Sequence, residues 1–460
     1  MSVIATGDIV EAATTRQPRS HFRLLVAAVF IVFPAIIFYT ILFRTALDIP
    51  FFDNYVGVLN FMNHLTQLHG FTAKATFLLS AQFNEYKLPF PEALFWLQYD
   101  LLGHIDFKIL SAISNGFVLL LGLVLWKMFL PAHKDLGLRL ALFVPVSWLL
   151  FQLEYQELLN WGGAGLQHIP CLVFAFAAIY LLFRKTRSAF CGALACFILA
   201  IAASGNGFLL LPIGLLILIP KRNYARIAAW LITCAGCIAA YSYHYNVMSS
   251  RSSPDHSVFS ALLRLRPIFV LSFIGSAASI PFNAASFALG TALCVFFIWM
   301  VRRGYVRRNP LVCSCVLFLL LTAIGAAGIR SDLGLEESVS SRYTIYSVLF
   351  VILAWFAIVE EFLQHRRVSL RKSKAYLGAV VATVFFCLFM DAVFLVVIKS
   401  WDSKLIEGMA DFEHPNPLDS TKGPVIPLWK GDLSRETFNP NARAILLESI
   451  RLGVYQPPAL

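Results

Sequence analysis

Charged residues are scarce in this sequence. Asp, Glu, Lys and Arg make up only 14% of the 460 residues, whereas 58% are hydrophobic. A soluble domain carries roughly a quarter of its residues as charged side chains, because they cover its surface. The composition therefore excludes a soluble globular protein and indicates an integral membrane protein.

Motifs for nucleotides, disulfides and metals are also missing. The sequence contains neither G-x-x-x-x-G-K-[ST] nor G-x-G-x-x-G after a strand, so ATP-driven chemistry within this chain is not expected. All nine cysteines fall in apolar segments, where Cys234 and Cys237 are best interpreted as small packing residues. His168 and His244 stand alone near the ends of apolar segments, without the spacing of a metal site.

Long apolar runs are what the sequence has in abundance. A span needs about 20 apolar residues and must satisfy its own backbone hydrogen bonds, so each run predicts a membrane helix. The fold class is therefore an all-α polytopic membrane protein with about eleven transmembrane helices. The predicted spans are 22–43, 110–130, 137–152, 169–183, 188–203, 206–219, 225–245, 283–301, 309–329, 343–362 and 376–398.

The net charge of +11 comes mainly from short basic clusters between these runs. They lie at 183–188, 220–226, 302–309 and 365–374. Four clusters on alternate connections follow the positive-inside rule, which predicts a cytoplasmic N-terminus and a C-terminus on the outer face of the membrane. The basic excess is thus topological, and nucleic acid is not an expected partner.

The same topology divides the chain. Residues 1–21 are expected to form a cytoplasmic N-terminus, 22–398 the transmembrane domain with a large outer loop at 44–109, and 399–460 an outer tail. Within the tail, Asn439-Pro440 predicts a short helix that ends near Gly453. The apolar stretch 268–281 is assigned to an interfacial segment that begins at 256, although a twelfth span stays open.

Polar residues with chemical potential collect on the predicted outer face. Asp48 and Asp53 follow the first span, and Asn84, Glu85 and Lys87 lie among aromatics and prolines. A carboxylate partly buried by aromatic rings at a membrane surface can act as a general base.

Three further positions stand out along the chain. Glu154 belongs to an acidic and aromatic patch with Glu157 and Trp161, and Arg342 with Tyr343 opens the tenth span. An arginine there either snorkels to headgroups or binds a phosphate with both arms. Asp391 lies inside the last span as a proton-relay group or a protonated structural residue.

This layout resembles the polytopic glycosyltransferases of the GT-C fold, such as the lipid A aminoarabinose transferases and protein mannosyltransferases. It looks closest to poorly characterised bacterial relatives whose first outer loop carries Asn-Glu-His-Arg before a proline and an apolar helix. Here the corresponding residues are Asn84-Glu85-Tyr86-Lys87, followed by Pro89. The Ser-Gly-Asn-Gly hairpin at 204–207 and the Ser-Arg-Tyr at 341–343 are also similar to that group.

The resemblance implies transfer of a sugar from a polyprenyl-phosphate donor to an envelope glycan or lipid acceptor, on the periplasmic side and among membrane lipids. It also implies a bacterial inner membrane, so that the outer loop 44–109, the tail 399–460 and the C-terminus are periplasmic. It implies a catalytic general base at Asp53, with Asp48 as the second choice. The residues expected to bind substrate are Asn84, Glu85, Lys87, Glu154, Arg342 and Tyr343, with Arg342 and Lys87 as the cations for the phosphate. No cofactor is expected, and a divalent metal ion stays open.

Two other classes of function compete with this one. A transporter or flippase of a lipid-linked saccharide needs polar residues through the middle of the bundle, of which Asp391 is the clearest. A non-catalytic assembly factor would leave the acidic residues of the first loop without a role.

Overall fold

The computed structural model describes residues 18–83, 86–131, 133, 135–246, 266–279, 283–364, 374–413 and 442–458. Within these residues the chain is helical, with two isolated β-bridges and no longer strand. The α-helices in the first half are α1 (Pro18–Thr45), α2 (Phe61–Gln67), α3 (Phe71–Ser80), α4 (Pro89–Leu102), α5 (Phe107–Met128), α6 (Leu136–Leu150), α7 (Gln156–Asn160), α8 (Gly162–Leu182), α9 (Arg187–Ala203), α10 (Leu210–Leu218) and α11 (Tyr224–Ser242).

The described residues of the second half contain seven more α-helices, and shorter helical turns occur in both halves. The helices are α12 (Pro267–Ile274), α13 (Asn283–Arg302), α14 (Tyr305–Arg308), α15 (Pro310–Arg330), α16 (Ser341–Gln364), α17 (Lys374–Glu413) and α18 (Ala442–Arg451). A π-helix covers Tyr55–Asn60, and 3₁₀ turns cover Leu153–Tyr155, Gly205–Leu209, Ile219–Lys221, Ser276–Ala278, Ser331–Leu333 and Leu335–Val339.

Nine helices of the described residues are long and apolar enough to cross a membrane. Two shorter apolar helices, Arg187–Ala203 and Gly205–Lys221, complete the set. Each of the eleven apolar runs picked out in the sequence coincides with one of these helices, because a long apolar segment in lipid must close its hydrogen bonds internally. The all-α polytopic membrane architecture is thus confirmed.

Basic residues from different connections meet at one end of the bundle. Lys221 donates to the carbonyl of Leu182 at 2.8 Å, and Arg226 donates to that of Lys185 at 3.0 Å. The first loop lies at the opposite end, which is called the first-loop end below. The side of the membrane that each end faces stays a prediction.

Most of the stretch 268–281 lies in α12, an eight-residue helix, and in the 3₁₀ turn after it, while residues 280 and 281 are outside the described residues. At 1.5 Å per residue the helix is too short to span a bilayer. Ile268 is 46% exposed, but most of the helix from Phe269 onward is buried, and Ser347 of α16 donates to the carbonyl of Ile274 at 2.6 Å. The segment is therefore a largely buried piece of the bundle, whereas residues 256–265 of the amphipathic stretch predicted at 256–266 lie outside the described residues.

The last long helix continues beyond the predicted end of the membrane domain. Helix α17 runs to Glu413 rather than ending near 398. The short tail helix predicted before Gly453 is present as α18, and Gly453 adopts the left-handed conformation (φ 70°) that favours glycine at a helix end. Its proposed start at Asn439-Pro440 lies outside the described residues.

The C-terminal segment packs back onto the first loop. The backbone N–H of Ile105 donates to the carbonyl of Val454 at 2.7 Å, and the Tyr455 hydroxyl donates to the carbonyl of Asp48 at 2.6 Å. Helix α18 lies against the π-helix Tyr55–Asn60. The tail is thereby a structural support of the loop that carries both candidate aspartates.

Candidate functional site

A cavity of about 90 Å³ opens at the first-loop end, between the first loop and helices α4, α8, α15 and α16. Its polar and aromatic lining comes from separate parts of the chain. The lining residues with polar or ring side chains are Asp53, Asn54, Phe83, Tyr86, Glu92, Phe95, Trp161, Gln167, His168, Arg330, Arg342 and Tyr343.

Asp53 lies on a tightly packed aromatic corner. The Phe52 ring is 5.3 Å from the Trp161 ring and 5.4 Å from the Trp401 ring. Phe52 also has a φ of 47°, a conformation that a bulky residue adopts only when its surroundings force it. The π-helix Tyr55–Asn60 begins two residues after Asp53, and such helices are frequent at functional sites. These contacts fix the position of Phe52, and Asp53, the next residue, lines the cavity.

Asn54, beside Asp53, was not among the sequence candidates. It is 1% exposed, and neither polar atom of its amide has a hydrogen-bond partner within the described residues. A Cβ at Gly163 would approach the Asn54 Oδ1 to 3.0 Å, so the glycine at 163 makes room for this amide. A buried unpaired amide is costly, and a ligand in the cavity would satisfy it.

Arg342 is held from two sides. The Glu337 carboxylate accepts from its Nη2 at 2.7 Å, and the Glu157 carboxylate accepts from its backbone N–H at 3.1 Å. Its Nε is buried without a partner among the described residues. The guanidinium thus presents a donor that the protein leaves available to an anion in the cavity.

Arg330, a second arginine of the cavity, was missed in the sequence. It ends α15 and donates from Nη2 to the Tyr86 hydroxyl at 3.0 Å. Tyr86 pairs with Phe83 through two backbone hydrogen bonds of 2.8 and 2.9 Å, and both residues line the cavity. Arg330 follows an apolar run, and Arg342 precedes the next one. Their location at the ends of neighbouring apolar runs is the sequence pattern that could have identified Arg330 as a site residue.

His168 and Tyr343 complete the wall. The Tyr346 hydroxyl is 2.9 Å from Nδ1 of His168, and the Tyr343 ring meets the imidazole edge-on at 5.9 Å. His168 is thus a buried residue with a fixed ring orientation. The sequence interpretation had given it only a structural role.

Lys87 does not line the cavity. It is 2% exposed, and its ammonium donates to the carbonyls of Leu79, at 3.0 Å, and Tyr243. These bonds join the first loop to the end of α11, and burial lowers the pKa of the Lys87 ammonium. A role of Lys87 in substrate binding stays a prediction, while its visible contacts are structural.

Glu92, unlike Lys87, lines the cavity. It lies in the first turn of α4, is 3% exposed, and has one carboxyl oxygen without a partner in the described chain. Burial raises the pKa of this carboxyl to about 8, and the neighbouring Lys87 opposes the shift. Asn84 and Glu85, the two other candidates of this loop, lie outside the described residues.

Asp48 does not line the cavity. Its Oδ1 accepts from the backbone N–H of Phe107 at 2.7 Å, at the start of α5. Burial raises the pKa of the Asp48 carboxyl to about 7, although the bond from Phe107 lowers it. Of the two candidate bases, Asp53 alone lines the cavity.

Glu154 and Asp391 lie together inside the bundle. Glu154 is fully buried, and neither carboxyl oxygen has a partner within the described residues. Asp391 accepts from the backbone N–H of Leu153 at 2.8 Å, which gives it a structural contact. Neither residue lines the cavity, so binding of substrate by Glu154 stays a prediction that this geometry does not favour.

The described residues contain no group of three or more His, Cys, Asp or Glu side chains arranged to hold a metal ion. No protein-family model matches the chain, and no curated protein matches it. A carboxylate at one wall and two guanidinium groups at another suit a reaction in which a base activates a hydroxyl and a leaving anion is stabilised.

Proposed function

We propose that this protein is a membrane glycosyltransferase, which moves a sugar from a polyprenyl-phosphate donor to an envelope glycan or lipid acceptor. The observation that carries the proposal is that Asp53 and Arg342, distant in sequence, line one cavity. Asp53 acts as the general base on the acceptor hydroxyl. Arg342, with Arg330, takes up the negative charge that develops on the leaving phosphate.

The position of the cavity supports a lipid-linked donor. It lies at the first-loop end of the membrane bundle, and α4 contributes Pro91, Glu92 and Phe95 to its lining. Leu97 and Leu101 of α4 are 53% and 74% exposed, so this helix offers an apolar face to the acyl region. The donor's prenyl chain would lie along such a face while its phosphate enters the cavity.

Replacing Asp53 tests the proposal. Cells that lack the gene are complemented with wild-type protein, with Asp53→Asn, or with Asp100→Asn as the control. Asp100 is an exposed aspartate of the same loop that does not line the cavity. We expect Asp53→Asn to abolish one envelope glycan or lipid modification seen by mass spectrometry, while Asp100→Asn retains it. An unchanged glycan mass with Asp53→Asn, at normal membrane levels, would overturn the assignment.

A transporter or flippase of a lipid-linked saccharide is the second candidate, and one observation favours it. Glu154 and Asp391 are buried acidic residues in the bundle, as proton-coupled transporters often have. Asp391→Asn should then stop transport of the lipid-linked saccharide into proteoliposomes. Under the glycosyltransferase proposal it leaves sugar transfer intact, because the asparagine oxygen still accepts from Leu153.

A further inference from the structure

The cavity has one wall whose hydrogen bonding continues into the bundle. His168 lies on this wall beside Arg330 and Arg342. Its Nδ1 is occupied by the Tyr346 hydroxyl at 2.9 Å, so Nε2 is the ring nitrogen left for the cavity. Tyr346 itself is 1% exposed and does not line the cavity.

The hairpin at 204–207 packs behind the same tyrosine. The Asn206 side chain is close enough to the Tyr346 hydroxyl to interact with it. A Cβ at Gly207 would fall 2.3 Å from the backbone nitrogen of Ile201, so only glycine allows this close approach. Asn206, Tyr346 and His168 therefore form a chain of polar groups that ends at the cavity.

The direction of these hydrogen bonds decides what His168 can do. An amide N–H of Asn206 donating to Tyr346 leaves the tyrosine hydroxyl to donate to Nδ1. A neutral imidazole that accepts at Nδ1 carries its proton on Nε2 and is a donor there. His168 would then be a hydrogen-bond donor in the same cavity as two guanidinium groups. Such a set of donors suits an anion with several oxygens, such as phosphate.

We propose that His168 is a phosphate-binding residue of the cavity and that Tyr346 is its positioning residue. The Nε2–H of His168 donates to a phosphate oxygen that Arg342 and Arg330 also contact. Tyr346 holds the imidazole in the tautomer and orientation that this requires. This inference rests on the proposed function, because it takes the ligand to be the phosphate of the sugar donor or of the carrier left after transfer.

Binding to the purified full-length chain in nanodiscs tests it without a transfer assay. The probes are a synthetic polyprenyl phosphate in the nanodisc lipid and, separately, inorganic phosphate. The variants are His168→Leu, His168→Gln, Tyr346→Phe and the double variant His168→Leu/Tyr346→Phe. Tyr305→Phe is the control, since Tyr305 is also a buried tyrosine that donates to a side chain (Glu360, 2.7 Å) but lies far from the cavity.

We expect His168→Leu to weaken polyprenyl-phosphate binding about tenfold or more, because a hydrogen bond to a charged group is lost. His168→Gln should retain part of the affinity, since its amide can place a donor near the position of Nε2. Tyr346→Phe should weaken binding severalfold in the wild-type background and not at all in His168→Leu. That non-additivity indicates that Tyr346 acts through His168 rather than through a general effect on stability. Tyr305→Phe should bind the lipid normally, which shows that losing a buried tyrosine hydroxyl does not by itself weaken binding.

The outcomes distinguish this inference from the proposed function. If His168→Leu binds the polyprenyl phosphate as tightly as wild type, the role of His168 is overturned, whereas phosphate binding by the arginines is not. If Tyr346→Phe weakens binding by the same factor in the wild-type and in the His168→Leu background, the positioning role is overturned. Wild-type protein that binds neither probe overturns both the inference and the proposed function. Inorganic phosphate bound as tightly as the lipid supports His168 as a phosphate ligand but overturns the lipid-linked source.

Discussion

The Glu157 carboxylate accepts a hydrogen bond from the backbone N–H of Arg342 at 3.1 Å and another from the Ser340 hydroxyl at 3.0 Å. These bonds place a negative charge at the N-terminus of α16, where the helix dipole favours it. They also connect the segment before α8 to the residue whose guanidinium lines the cavity. Glu157 is thus a support of Arg342 rather than part of the cavity wall.

Glu157→Ala should therefore reduce the glycan or lipid modification about tenfold or more, since a charged hydrogen bond that orients Arg342 is lost. Glu157→Gln should retain more activity, because its amide oxygen can accept both bonds. The modification is measured by mass spectrometry in complemented cells. Glu407→Ala, on the exposed part of α17, is the matched control, and full activity of Glu157→Ala would contradict the supporting role.

Arg342→Lys should lose most of the modification although it keeps the charge. The guanidinium bonds Glu337 through Nη2 and still has Nε free for a ligand within the described contacts, whereas an ammonium is a single point donor. Arg342→Lys and Arg342→Ala are compared in the same complementation assay. Equal activity of Arg342→Lys and wild type would show that only charge matters at this position.

Asp48 should make stability depend on pH. Its pKa is about 7 in the folded protein against 3.8 for the free side chain. Between these values the folded state holds a proton that the unfolded state has released, so the free energy of unfolding falls as the pH rises from about 4 to about 7. Asparagine cannot ionise, and its oxygen still accepts from Phe107. The decrease in melting temperature between pH 5 and pH 8 should therefore be smaller in Asp48→Asn.

Asp100→Asn is the control for that measurement and should show the wild-type decrease. The same Asp48→Asn protein should retain the glycan modification, because Asp48 does not line the cavity. Loss of the modification in Asp48→Asn, at normal stability, would instead make Asp48 the base.

Tyr455 should anchor the first loop. Tyr455→Phe removes the hydrogen bond to the Asp48 carbonyl and should cost about 0.5–1.5 kcal/mol of stability. Tyr455→Ala also empties a fully buried site and should cost about 3–5 kcal/mol. Thermal unfolding measures the difference, and limited proteolysis within residues 46–106 should become faster in the same order. Unchanged proteolysis in Tyr455→Ala would show that the tail does not restrain the loop.

Gly290 should be intolerant of substitution. A Cβ there would lie 1.8 Å from the carbonyl oxygen of Leu271. At this point the end of α12 packs closely against Ser286 and Gly290 of α13. Gly290→Ala should separate these helices and lower the melting temperature. Gly236→Ala, where a Cβ meets nothing within 4 Å, should be neutral or slightly stabilising because alanine favours the helix. Equal stability of the two variants would contradict the close packing.

Much of the architecture follows from local sequence. Long apolar runs predict the membrane helices because the backbone has no other partner in lipid, and all eleven predicted runs are helical. The start of α4 is equally local, since a helix tolerates prolines such as Pro89 and Pro91 only in its first turn. The short α12 was harder to place, because its apolar sequence also suits a span or a surface segment.

The candidate site was predictable only in part. The sequence identified Asp53, Arg342 and Tyr343, because ionisable and aromatic residues at the ends of apolar runs are unusual and costly without a role. It did not identify Arg330, Asn54 or the role of His168. Each of these depends on a neighbour that is distant in the chain, such as Tyr86 for Arg330 and Tyr346 for His168.

By itself, then, the sequence determined which long apolar segments are helices and which polar residues lie near their ends, since both depend on hydrophobicity and local backbone preferences. Only the tertiary structure decided which polar groups meet. It turned Lys87 toward backbone carbonyls, buried Glu154, and brought Asp53 and the two arginines to one cavity. Side-chain direction depends on packing between helices, and no local pattern of residues specifies that packing.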